Sequence, residues 1–87
     1  MRQLGLDVTR SEALFVSALQ RSEHPGPEQV RHAVAGAVRA YGSQGCAARV
    51  AQEFGDHPEA AVTRMRWARQ AVDEAYGSSR IHLPLAA

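Results

Sequence analysis

The side chains best equipped for chemistry in this 87-residue chain are four histidines, one cysteine and one pair of nearby carboxylates. His24, His32, His57 and His82 could bind a metal or carry a proton, but no two stand four apart. That spacing is what places two imidazoles on one face of a helix. Cys46 stands near the start of an expected helix, where the dipole favours a thiolate. No histidine partner is indicated for it, so burial as a small apolar residue is the expectation. A single cysteine also excludes an internal disulfide framework and a cysteine-based zinc finger within one chain. Asp56 and Glu59 suit a helix cap better than an acid–base pair. No glycine-rich phosphate loop and no serine in a nucleophile elbow occurs. The chain is therefore expected to be non-enzymatic, with no metal and no cofactor.

Recognition chemistry is better represented. Arg64, Arg66 and Arg69 fall within six residues and surround Trp67, and Arg and Trp dominate interface hot spots. The net charge of +1 is too small to coat a nucleic acid by charge alone. It hides an uneven distribution, because Glu12, Glu23 and Glu28 lie in the first half. All ten basic residues are arginine, lysine and asparagine are absent, alanine supplies sixteen residues and isoleucine one. GC-rich codons give that bias, and an actinobacterial source is the expectation. The start of the chain has no signal-peptide pattern, and no apolar run approaches the ~20 residues of a membrane span. A cytoplasmic protein with no membrane partner is expected.

Start and stop signals divide the chain into four helices. Thr9 to Glu12 reads as a capping box, with Val8 as a possible staple, opening a helix over about 10–22 with Leu14, Phe15, Ala18 and Leu19 inward. Pro27 is placed to open a second helix, about 27–41, which Gly42 ends. Gly36 weakens that helix unless close packing compensates. Ser43 can cap a third helix, about 44–54, closed by Gly55 in a left-handed conformation. Asp56 to Glu59 caps a fourth, about 57–76, stopped by Gly77, and residues 78–87 read as a loose tail. The fold class is all-α, a four-helix single domain over residues 1–77 with a helix-turn-helix-like second half. Five aromatics make a thin core for a domain of this size, so a second copy of the chain could complete the burial.

In the second half each position has a packing reason. Ala51 must be small where two helices cross, Gly55 takes the turn, and Ala61 and Met65 face back onto the preceding helix. Tyr41, Ala48, Val50, Ala51, Gln52, Phe54 and Gly55, followed by Arg64, Met65, Ala68, Arg69, Ala71 and Val72, resemble the C-terminal promoter-reading domain (region 4) of extracytoplasmic-function sigma factors. The resemblance covers about a third of the chain. It implies a four-helix domain whose last helix enters the major groove of DNA. Departures are Pro58, one position later than in that family, Ala61 in place of a larger aliphatic, and Glu59 at the tip of the reading helix. No counterpart of sigma region 2 occurs in these residues, so a free-standing domain is expected.

Two functions follow. In the first, a small transcription-associated regulator, expected to act as a dimer, sets His57, Glu59, Thr63 and Arg66 against base edges, with Ser43, Gln44, Arg49 and Arg69 on phosphates. In the second, a protein-interaction module uses Arg64, Trp67, Ala60 and Ala71 to bind another protein or to form a homodimer. Trp67 is expected opposite the apolar stripe of Ala61, Val62, Met65, Ala68, Val72 and Tyr76. Its alternative fate is to pack under the N-terminal segment, or under the tail with Leu83 and Leu85. For Arg64 and Arg69 the alternative is a solvated helix face, paired with Glu59, Asp73 or Glu74.

Overall fold

The computed structural model describes the backbone of residues 2–85 and the side chains of residues 5–77. It contains three helices, α1 (Arg2–Val16), α2 (Pro27–Asp56) and α3 (Pro58–Leu85), and a 3-10 turn at Arg21–Glu23. Each helix packs against the other two, and no strand occurs among the described residues. The fold is all-helical, but with three helices where four were expected.

The difference lies at Gly42. The helix that Pro27 opens does break there, at φ 72° and ψ 167°, but it resumes at once and runs on to Asp56. That one residue sets the phase of everything after it. Val30, Val34 and Ala37 are buried before the break, and Cys46 and Val50 after it. In an unbroken helix, sixteen residues at about 100° each would turn Cys46 roughly 160° away from Val30. The break returns both halves to one core.

The corner is tight. A methyl on Gly45 would stand 3.0 Å from Tyr41 Cβ. The Cys46 thiol donates to the Ala37 carbonyl at 3.7 Å, and the Arg49 guanidinium lies 4.0 Å from the Tyr41 ring centroid.

The first helix also differs from expectation. It begins at Arg2, so Thr9 is an interior residue and not a cap, and it ends at Val16. The early start lays its first half along α3, where Arg10 stacks 3.9 Å from the Tyr76 ring centroid. The early end follows from Ser17, whose hydroxyl donates to the Leu14 carbonyl at 2.7 Å, and from a third-helix arginine described below. Leu14 and Phe15 are buried as expected, Leu19 is half-buried, and Ala18 is exposed.

Three further expectations are corrected. Ala51 is exposed. Cys46 and Val50 of α2 and Ala61 and Met65 of α3 are buried instead, in one core cluster. Gly55 stays helical, and the only glycine with positive φ among the described residues is Gly42. Chain reversal occurs at His57, whose carbonyl accepts from Ala61 N–H at 2.8 Å, with Pro58 as the first helical residue. Gly77 is buried inside α3, which continues to Leu85. No helix among the described residues is long and apolar enough to cross a membrane.

Candidate functional site

Arg64 organises the interior. Its Nε donates to the Phe15 carbonyl at 2.7 Å, and its Nη2 lies 3.3, 3.0 and 2.9 Å from the carbonyls of Leu14, Ser17 and Leu19. The last carbonyls of a helix have no partner within it. Here a guanidinium from α3 supplies the donors and places its charge at the negative end of the α1 dipole. The same group lies 5.0 Å from the Trp67 ring centroid and 5.7 Å from that of Phe15. Partial burial lowers its pKa, but a guanidinium stays charged in any ordinary buffer.

Arg64 is thus not a solvated surface charge: its guanidinium is committed to the carbonyls at the end of α1. It also moves the core. The buried stripe of α3 centres on Ala68 and takes in Ala71 and Ala75, while Val62, expected inward, is 42% exposed. Of the expected interface residues, Arg64 is committed internally, Ala71 is buried and Trp67 is half-buried against the core. Ala60 alone stays exposed. Trp67 lines one surface depression together with Arg21, His24 and Pro25 of the α1–α2 connection. The side chains of Leu83 and Leu85, named as its possible cover, lie outside the described residues, as does His82.

The residues expected to meet DNA have a different fate. Ser43, Gln44, Arg49, His57, Glu59, Thr63, Arg66 and Arg69 are all exposed. His57 Nδ1 lies 3.3 Å from Glu53 Oε1, and Arg49 is stacked on Tyr41. Glu59, Thr63, Arg66, Gln70 and Asp73 follow helical spacing along one exposed face of α3. With Arg69 at its edge, that face carries two arginines, Arg66 and Arg69, and two carboxylates, Glu59 and Asp73. Its formal charge is therefore balanced and not basic.

Among the described residues, no three of His, Cys, Asp or Glu are grouped so as to hold a metal ion. No family model, curated protein or solved structure matches this chain.

Cys46 is fully buried, and desolvation, with a smaller contribution from Glu12, pushes its thiol pKa up. The thiolate is the reactive form, so its population at a given pH is below that of a free cysteine. A thiol reagent at neutral pH is expected to spare Cys46 in the native protein and to label it rapidly in urea. Native labelling at the free-cysteine rate would show that the Gly42 corner opens.

A surface that sequence reasoning passed over lies on the outer side of α2. A groove of about 650 Å³ runs between the end of α1 and the first half of α2. Its walls include Leu19, Ala33, Gly36, Ala40 and Tyr41, and Tyr41 is 43% exposed. The signal was present in the spacing of Ala33, Gly36 and Ala40. Helix propensity alone marks Gly36 only as a weak point in α2, which obscures that signal. Among the described residues nothing from outside its own stretch of helix packs there: a methyl on Gly36 would meet no such atom within 4 Å.

Proposed function

We propose that the chain is a small non-enzymatic binding module that acts through protein–protein contact, with the α2 groove as its contact surface. The observation that carries this reading is the open, largely apolar groove around Gly36. Small residues on a helix allow a second helix to approach closely, and an apolar groove of this kind suits an amphipathic helix. The Trp67 and Arg64 face is not the contact surface in this reading, since both side chains serve the interior.

Position-specific photo-crosslinking tests the proposal. A photoreactive amino acid at Ala35, exposed on the groove wall, is expected to give a discrete protein adduct in the source cells. The same probe at Gln70, exposed on α3, is expected to give none. Equal labelling from both positions, or none from either, overturns the reading.

DNA binding is the second reading. It is favoured by the exposure of all eight side chains named for it, together with the paired helices that meet at His57. A helix-turn-helix arrangement of α2 and α3 belongs to this reading. Its weakness is the balanced charge of the α3 face, because phosphate contacts supply most non-specific affinity. In a mobility-shift assay at low salt, Arg66→Ala and Arg69→Ala should each weaken a genuine complex. Absence of any shift at low salt removes this reading.

A further inference from the structure

We propose that the occupant of the α2 groove is a second copy of this chain, packed α2 against α2 in antiparallel fashion about a two-fold axis near Gly36. The inference rests on the reading of the groove as a contact surface and names its partner. Glycine in a helix interior weakens the helix. Gly36 stands well inside α2, six residues before the Gly42 break, and among the described residues no atom beyond its own stretch of helix comes within 4 Å of where its side chain would be. No described residue of the same copy makes use of the missing side chain. Ala33 and Ala40 flank it along the groove, so a partner backbone meets small residues over more than one turn.

Charge placement selects the partner and its orientation. The connection leaves the end of α1 at Arg64 and reaches the start of α2 where Arg31 donates to the Ala75 carbonyl, so it runs opposite to the first half of α2. Val16 stands toward the Tyr41 end of the groove, and Glu23 toward the His32 end, near where α2 begins. One end of the groove therefore carries Glu23, and the other carries Arg39 with Arg49 on the Tyr41 ring beyond it. A two-fold contact reverses one copy relative to the other, so Arg39 of each copy approaches Glu23 of its mate. The surface is complementary to itself in this orientation, and such an isologous contact closes at two copies. A parallel arrangement would set Arg39 against Arg39.

Sedimentation of the full chain tests the proposal. The wild type should move from 9.4 kDa toward twice that mass as concentration rises through the micromolar range. Gly36→Leu fills the open space without a clash inside the chain. It should keep its helicity and melting temperature while association weakens by about tenfold or more. Arg39→Glu should weaken association, and adding Glu23→Arg to it should restore it.

A chain that stays monomeric throughout overturns the second copy as occupant. In that case a heterologous adduct at Ala35 would leave the contact-surface reading standing, and loss of that adduct as well would remove both. A dimer indifferent to Gly36→Leu, or a charge reversal without restoration, places the contact elsewhere and also overturns the proposal.

Discussion

Arg64→Ala is expected to destabilise the fold by about 3 kcal/mol, through donors lost to the carbonyls at and just beyond the end of α1. Four carbonyls, those of Leu14, Phe15, Ser17 and Leu19, share this one guanidinium. A hydrogen bond to a charged group contributes roughly 1.5–3 kcal/mol, but water reaches the half-buried site and offsets part of each loss. For a domain this small, the loss corresponds to a fall in melting temperature of about 12–24 °C.

Two companion variants separate the causes. Arg64→Met keeps the aliphatic stem against Phe15 and Trp67 but removes the donors, and should cost nearly as much as alanine. Arg64→Lys keeps the charge, but a compact ammonium cannot span the same fork of acceptors, and should recover less than half of the loss. Urea midpoints at constant slope give the values. A cost for Arg64→Ala below about 0.5 kcal/mol, the range of an ordinary surface substitution, would refute its capping role.

Gly42→Ala is expected to cost about 2–3 kcal/mol, entirely through the backbone. At φ 72° and ψ 167° the residue occupies a region essentially reserved for glycine. A methyl at that position would meet no neighbour within 4 Å, so crowding adds nothing. The chain cannot escape by straightening, because a continuous α2 would carry Cys46 and Val50 to the side opposite Val30 and Val34. D-alanine at the same position, introduced by chemical synthesis, provides the control. Its mirror-image preferences allow positive φ, so it should match or exceed the wild type in melting temperature. Equal stability of the L-alanine and D-alanine forms would show that the corner is not held in this conformation.

The parts of the fold that were legible in the sequence were those set by local chemistry. Pro27 opens α2 because its ring fits the first helical position, and Gly42 breaks the helix because no other residue does so as readily. Most of the core stripe followed from helical spacing alone, including Leu14, Val30, Val34, Val50, Met65 and Val72. What could not be read depended on partners distant in the chain. The end of α1 depends on Arg64, nearly fifty residues away, as well as on the local Ser17, and no local signal marks an arginine as a cap for another helix. The same contact draws the α3 core toward Ala68 and Ala71 and leaves Val62 exposed. Ala51 was read as a crossing point from a familiar pattern of small residues. The break at Gly42 re-phases the second half of α2 and turns Ala51 to solvent. The candidate surface was legible only as an anomaly, a mid-helix glycine without a local reason.

The Arg64 cap also has a consequence for the order in which the chain acquires structure. The carbonyls that end the first helix find their donor in a residue that emerges from the ribosome some fifty positions later. During synthesis Ser17 can satisfy the Leu14 carbonyl, but those of Phe15, Ser17 and Leu19 wait for the third helix. Pairings of such sequence separation carry a loop-closure cost before they contribute anything. The nascent chain therefore has reason to commit late and as a unit, with Arg64 as the contact that joins its earliest segment to its last.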